Sequence, residues 1–196
     1  RSSVLEVVGD GTKTRLVFDA PEDIKSVGVL IYSHAGLPDD RWLYRPENKR
    51  VKRLTSNFSS DPVMGSEFAY EDVVVPRVKK FAYDWLRDEP CVTGQCYVIE
   101  RQPLYPDSGY VRQIVWVDTK TLRAVKIDYY DRNNVFMKTL TQSGFHLYKD
   151  KFWRADTSVM DNHVNGKSTV MKSTNFKFGT GLTAAKFVPN ALQDTH

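Results

Sequence analysis

Alternation of apolar and polar residues with a period of two dominates the second half of this chain. Such a period is typical of β-strands that bury one face. It defines five consecutive segments: residues 110–118, 122–131, 135–148, 151–160 and 167–178. Turn-forming residues separate these segments, and Asn165-Gly166 is the strongest hairpin signal among them. The spacing therefore predicts an antiparallel meander.

The first half of the chain adds shorter strand patterns. They cover residues 3–8, 13–20, 24–33, 42–44, 49–54, 81–87 and 97–101. A chain of 196 residues is expected to form a single domain. The pattern predicts a mostly β fold over residues 1–196, built on one strongly curved antiparallel sheet of roughly ten strands.

The two faces of the predicted meander differ in character. In residues 110–117 and 123–130, one face is apolar and the other carries a mixture of residue types. A sheet of this length covers its apolar face by closing tightly, by accepting helices or by binding a ligand. Periodicity alone favours a solid core and a ligand cavity equally.

Residues 40–72 have the most specific order of residues in the chain. An aromatic strand at residues 42–44 turns at Pro46 into the basic strand 49–54, in which Arg50 and Lys52 share one face. After a polar loop comes the run MGSEFAYED at residues 64–72. Ser66 is predicted to cap a short helix there, with Glu67 in its first turn. A second short helix is predicted after Thr183.

This combination of a Trp-Leu-Tyr strand, a proline turn, a basic strand and a Met-Gly-Ser-acid-Phe-x-Tyr-Glu-Asp run resembles the outer-membrane lipoprotein-sorting protein family of LolA-like periplasmic carriers. Residues 117–131 and 187–192 are similar in kind to the family. The resemblance therefore extends over most of the chain and is strongest at residues 40–72. Members of the family usually begin with a helix, whereas this chain starts in strand-like sequence, so we expect a LolA-like domain that lacks the N-terminal helix.

The resemblance implies an unclosed β-barrel with short helices as a lid and, between them, a space that accepts acyl chains. It also implies a carrier or chaperone in the periplasm, with its export signal removed or outside this sequence. Lipoprotein acyl chains or lipids would be the cargo, carried towards the outer membrane. An inner-membrane transporter and an outer-membrane acceptor would be the partners, and neither a cofactor nor catalysis would be needed.

Candidate site residues follow from the resembling stretch and from the apolar meander. Residues expected to line an acyl cavity are aromatic or thioether side chains: Trp42, Tyr44, Phe58, Met64, Phe68 and Trp116. Residues expected to anchor the lid are Arg53, Gly65, Glu67 and Asp72. Gly65 would provide the tight entry into the helix, and a carboxylate of the lid would pair with Arg50 or Arg53.

Charge and composition exclude several classes of protein. The net charge is +4, and residues 49–53 form the one basic cluster, which is typical of a solvated strand face. Basic residues do not interleave with exposed aromatics along one strand, so nucleic-acid binding is not expected. The longest apolar run, residues 27–32, is far shorter than the roughly 20 residues of a membrane-spanning helix.

Cys91 and Cys96 are the two cysteines of the chain, and strand-like sequence flanks them on both sides. Cysteines facing each other near a hairpin turn can meet disulfide geometry, which an oxidising compartment would favour. Two reduced thiols in a cytosolic protein remain the alternative. A zinc site is not expected, because the spacing is C-x4-C without a second ligand pair.

Catalytic motifs are sparse. The four histidines lie far apart in the sequence, and neither a nucleophile elbow nor a phosphate loop is present. Glu67, Glu71 and Asp72 form an acid-base candidate, although a structural role as anchors is favoured. Because one LolA-like fold hosts an enzyme of pigment biosynthesis, a small-molecule enzyme is the alternative function, and an envelope-stress lipoprotein sensor is a variant of the carrier.

Overall fold

Two antiparallel sheets make up the fold. The computed structural model of the protein describes residues 1–7, 10–34, 37–54 and 59–194. In this part of the chain the five-stranded sheet has the order β1-β2-β3-β4-β5. Its strands are β1 (Ser2–Glu6), β2 (Thr12–Val17), β3 (Gly28–Ser33), β4 (Asp40–Arg45) and β5 (Arg50–Leu54).

The seven-stranded sheet contains the predicted meander, with each strand beside its neighbour in sequence. Its strands are β6 (Phe81–Cys91), β7 (Gly94–Pro103), β8 (Tyr110–Asp118), β9 (Ala124–Asp131), β10 (Phe136–Tyr148), β11 (Phe152–Asn162) and β12 (Ser168–Lys172). The mostly β, antiparallel and unclosed fold is confirmed. The prediction of one continuous sheet was wrong, because β5 and β6 do not pair with each other and the chain between them belongs to neither sheet.

Short 3-10 segments replace the predicted helices. Among the described residues there is no α-helix, and the 3-10 segments are Glu22–Ile24, Val63–Gly65, Val78–Lys80, Ala184–Phe187 and Pro189–Gln193. The last two confirm a short helical segment after Thr183. The helix expected at residues 65–72 was wrong, because the chain folds back on itself there. The Val63 N–H donates to the Phe68 carbonyl at 2.7 Å and the Tyr70 N–H to the Asp61 carbonyl at 3.1 Å, which is antiparallel pairing rather than helical hydrogen bonding.

The segment of residues 59–80, which we call the connector, lies between the two sheets. Val63 and Tyr70 pack with Val29 and Ile31 of the five-stranded sheet. Phe68 instead packs on the seven-stranded sheet. The connector therefore fills the space where the two sheets face each other.

The opposite face of the five-stranded sheet is covered by the C-terminal 3-10 segments. Phe187 and Leu192 are fully buried against Leu30 and Tyr44. Gly28 permits this approach, since a Cβ there would lie 3.1 Å from Leu192 Cδ2. In the described residues, no helix is long and apolar enough to cross a membrane.

Candidate functional site

Asp72 fixes the connector to the seven-stranded sheet. Its Oδ2 accepts hydrogen bonds from Lys138 Nζ at 2.7 Å and from the Ala69 backbone N–H at 2.7 Å. The Tyr110 hydroxyl donates to Oδ1 at 3.0 Å. The side chains of Asp72 and Lys138 are only 2% and 3% exposed. Water is therefore excluded from this ion pair.

Glu71 ties the connector to the loop between β7 and β8. Its carboxylate accepts hydrogen bonds from the Tyr105 hydroxyl at 2.9 Å, the Ser108 hydroxyl at 2.8 Å and the Gly109 N–H at 2.8 Å. Burial raises the pKa of Glu71, and the charge of Asp72 acts in the same direction, while the three hydrogen bonds oppose both. The net result is a pKa above the ordinary value.

Glu67 makes the third connection, to the turn between β11 and β12. Its carboxylate accepts a hydrogen bond from Asn162 Nδ2 at 2.7 Å and longer ones from Asn165 Nδ2 at 3.3 Å. The Glu67 backbone N–H donates to Thr169 Oγ1 at 3.0 Å. All three carboxylates of the MGSEFAYED run therefore hold the connector in place.

The prediction that Arg50 or Arg53 pairs with a carboxylate of the connector was wrong. Arg53 forms an exposed ion pair with Asp40, its neighbour across the β4–β5 hairpin. Arg50 has no recorded carboxylate partner among the described residues. Lys138 takes the place of these arginines, because β10 carries it directly beneath the connector, where it also donates to the Glu67 carbonyl at 2.9 Å.

A second buried ionic cluster escaped the sequence analysis. Arg41 is 2% exposed and lies 3.5 Å from carboxylates of both Asp39 and Asp107. Lys80 pairs with Asp39, and the Ser59 hydroxyl donates to Asp107. Asp107 lies 66 residues from Arg41 in the sequence, so no local pattern predicts this contact. This cluster links the five-stranded sheet to the start of β6 and to the loop before β8.

One row of side chains crosses six strands on a single face of the seven-stranded sheet. Directly paired residues of neighbouring strands share a face, and the row consists of Trp85, Ile99, Val115, Ile127, Leu140 and Met160. Phe68 of the connector covers its members on β8 to β11. The members on β6 and β7 extend beyond this cover.

The uncovered part of this face forms an apolar surface that we call the open strip: Tyr83, Trp85, Tyr97, Ile99 and Val117. The Trp85 side chain is 66% exposed, and no residue of β6 belongs to the core clusters of the described chain. The indole N–H of Trp85 donates to Asp88 at 3.0 Å, so its polar atom is satisfied while the ring stays accessible. Val117 packs against the covered core, which makes the strip continuous with it.

The residues expected to line an acyl cavity do not share one surface. Met64 and Phe68 lie in the connector between the sheets. Trp42 and Tyr44 lie on the far face of the five-stranded sheet, under the C-terminal segments. Trp116 points away from the row, where its indole N–H donates to Glu89 and Lys126 lies over its ring. Phe58 lies outside the described residues.

An open cleft of about 300 Å³ lies beside the loop between β7 and β8. Its polar lining is already engaged, since Tyr105 and Ser108 bond to Glu71 and Arg132 donates to the carbonyls of Ser108 and Pro106. The described residues contain no group of three or more acidic, histidine or cysteine side chains suited to a metal.

The cysteine prediction is confirmed. Cys91 and Cys96 form a disulfide at the end of the β6–β7 hairpin, with an S–S distance of 2.05 Å and Cα atoms 5.8 Å apart. Cys91 ends β6, while Cys96 lies within β7 and is fully buried. The disulfide therefore holds together the tip of the hairpin that carries most of the open strip.

Comparison with known proteins points to one family. The model of a family described only as uncharacterized proteins matches residues 10–194. A solved domain from Vibrio parahaemolyticus, described as an outer membrane lipoprotein-sorting protein domain, is 43% identical with a TM-score of 0.94. That match covers 97% of this chain and 81% of the Vibrio chain.

Two further solved structures share the architecture. A DUF1329 family protein from Desulfovibrio piger is 28% identical with a TM-score of 0.89, covering 97% of this chain and 81% of that one. A LolA superfamily protein from Nitrosomonas europaea is 18% identical with a TM-score of 0.76, covering 96% and 80% respectively, and shows the fold alone. No curated protein matches the chain.

Proposed function

We propose that this chain, which belongs to the DUF1329 family of LolA-like proteins, is a non-enzymatic carrier that binds the acyl chains of lipidated proteins or lipids on its open strip. The observation that carries the proposal is the apolar row across the seven-stranded sheet. The connector covers this row on four strands and does not reach its last two members, of which Ile99 is half-buried and Trp85 exposed. An exposed apolar surface of this kind, continuous with the core, is typical of a site that binds an apolar ligand.

Burial of methylene groups supplies the binding energy in this proposal. Each buried CH₂ contributes about 0.8 kcal/mol, so ten of them contribute roughly 8 kcal/mol before the costs of association. Those costs leave an affinity in the micromolar to millimolar range, which suits a carrier that must release its cargo. The aromatic rings of Trp85 and Tyr97 offer large contact areas with little conformational entropy to lose.

The connector acts as a fixed wall beside the strip in this account. Moving it would break the buried Asp72–Lys138 ion pair and the hydrogen bonds of Glu67 and Glu71. Removing one partner of a buried ion pair typically costs 3–5 kcal/mol. That cost is a large part of the binding free energy that burial of one acyl chain contributes. The cargo therefore binds beside the connector and leaves without displacing it.

Partial exposure of the strip favours transfer. An acyl chain on this strip is covered on the side of the sheet and of the connector, while its other side stays accessible to an acceptor. We propose transport through the periplasm towards the outer membrane, from an inner-membrane transporter to an outer-membrane acceptor. The Vibrio relative described as a lipoprotein-sorting domain supports this direction, and the disulfide supports an oxidising compartment.

Native mass spectrometry tests the proposal. The protein is mixed with a synthetic peptide carrying a diacylglyceryl-cysteine and, in parallel, with the same peptide lacking the lipid. We expect a complex of one protein with one lipopeptide and no complex with the unlipidated peptide. Equal binding of both peptides, or of neither, contradicts the carrier. A change in the mass of the recovered lipopeptide points to the enzymatic alternative instead.

A further inference from the structure

The β4–β5 hairpin concentrates the positive charge of the protein. Residues 40–54 contain six arginine and lysine side chains and two carboxylates, a net charge of +4. The formal net charge of the whole chain is also +4. The remaining residues therefore sum to zero. Arg41 is buried against Asp39 and Asp107, so the exposed positive charge of the hairpin lies on its other basic side chains.

Like charges lie directly opposite each other in this hairpin. Arg45 pairs with Arg50 across the two strands, and Lys52 follows two residues after Arg50 on the same face. Directly opposed like charges destabilise a strand pair. Arg45, Arg50 and Lys52 are exposed, and none of them takes part in a salt bridge recorded among the described residues. We call these three side chains the basic ladder.

The ladder borders the part of the molecule that holds the connector. Lys52 pairs across the strands with Leu43, and Leu43 packs in the cluster that contains Val63 and Tyr70. The ladder is thus the exposed margin of the face that packs the connector. Its cations are spaced by the distances of an antiparallel sheet, about 5 Å between strands and about 7 Å along a strand. A flat array of this kind fits several separate anions rather than a single one.

We propose that the basic ladder docks the protein on the anionic phospholipid headgroups of a membrane surface. Each headgroup phosphate carries a negative charge without an obligatory geometry, which matches cations on flexible side chains. A basic residue near such a surface strengthens binding roughly fivefold. The docking uses no residue of the open strip, so it can be tested independently of acyl-chain binding.

A purely protective role is the competing account of the same residues. β5 is an edge strand of the five-stranded sheet, and charged side chains on edge strands prevent pairing with other chains. This account predicts that loss of the cations leads to association of the protein with itself. It predicts no preference for anionic membranes.

Vesicle co-sedimentation distinguishes the two accounts. The full chain is mixed with vesicles of phosphatidylcholine alone or with about one third phosphatidylglycerol, at low and at high salt. The ladder variant is R45Q/R50Q/K52Q. The matched control is K167Q/K172Q/K177Q, which removes the same charge from exposed positions on and beside β12. Circular dichroism and a fatty-acid displacement assay verify that both variants are folded and that the strip is intact.

We expect the unaltered protein to prefer the anionic vesicles and to lose this preference at high salt. The ladder variant should bind them about 100-fold more weakly, since it lacks three cations. The control variant should stay within about threefold of the unaltered protein, because its cations lie outside the ladder. Absence of any preference for anionic vesicles overturns the proposal, as does an equal loss in both variants. A ladder variant that self-associates but still binds anionic vesicles as the unaltered protein does overturns it in favour of edge protection.

Discussion

The Lys138 ammonium lies 2.7 Å from the Asp72 carboxylate, and both side chains are almost fully buried between the connector and β10. Lys138→Met leaves the Asp72 charge buried without its cation. We expect this change to lower the free energy of unfolding by about 3–5 kcal/mol, as for other broken buried ion pairs. Urea denaturation followed by tryptophan fluorescence measures it.

The double variant D72N/K138M should recover part of this loss, because neither charge then remains unpaired. Lys25→Met is the control, since its pair with Glu22 is exposed and should contribute less than about 1 kcal/mol. Equal effects of K138M and K25M would show that the connector is not held by the buried pair.

Gly65 enables the sharp turn of the connector through its positive φ of 75°. No atom lies within 4 Å of a Cβ built there, so the cost of Gly65→Ala comes from the backbone alone. We expect about 1–2 kcal/mol of destabilisation by denaturant unfolding. Gly65→Asn should cost less, because asparagine tolerates the left-handed region better. An alanine variant as stable as the unaltered protein would contradict the observed turn.

Glu71 gives a pH dependence with a defined sign. Its pKa in the folded protein is raised above 4.5, so the folded state keeps the proton after the unfolded state has lost it. Stability from this group therefore falls as the pH rises from about 4.5 through the raised pKa. Glu71→Gln removes the effect. The unfolding free energy of the unaltered protein minus that of E71Q should decrease between acid and neutral pH.

Glu89→Gln is the matched control of opposite sign. Hydrogen bonds from Trp116 and from Arg87 lower the pKa of Glu89 in the folded protein. The stability that it contributes is present above the ordinary pKa and is lost as the pH falls. The unfolding free energy of the unaltered protein minus that of E89Q should therefore increase as the pH rises. Parallel pH profiles for the two variants would contradict the buried setting of Glu71.

The Cys91–Cys96 disulfide should contribute about 2 kcal/mol, because it closes a short loop. We expect C91A/C96A to fold and to unfold at a correspondingly lower urea concentration. Thiol titration of the unfolded, unreduced protein should find no free thiol. Two reactive thiols in protein purified from the periplasm would contradict the disulfide.

Local patterns predicted most of the fold. The Asn165-Gly166 turn and the Asp118 turn fix two hairpins within a few residues, and the meander strands β8 to β11 begin and end close to their predicted positions. The last strand is shorter than predicted, because β12 ends at Lys172 instead of residue 178. The acidic residues of the connector were also expected as anchors. Their partners were not predictable, because Asp72 and Lys138 are 66 residues apart and only the packing of the connector on the seven-stranded sheet brings them together.

The candidate lining failed at the assignment of faces. Trp116 and Val115 are neighbours in β8, so their side chains point to opposite faces of the sheet. Both residues are apolar, so the pattern alone does not show which face is buried against the connector. Trp42 has a similar ambiguity on β4, since C-terminal residues cover one face and the connector covers the other. Trp85 was overlooked, because the sequence does not show that the connector stops short of β6.

Trp85→Ala, compared with Trp116→Ala in a fluorescent fatty-acid displacement assay, tests most directly whether the open strip binds acyl chains. Both variants lose an indole from the same sheet, from β6 and β8 on either side of β7, but from opposite faces. With circular dichroism showing both folded, we predict that W85A binds the fatty acid at least about tenfold more weakly and that W116A stays within about twofold of the unaltered protein. Equal weakening in both variants, or no displaceable binding by the unaltered protein, would contradict the account.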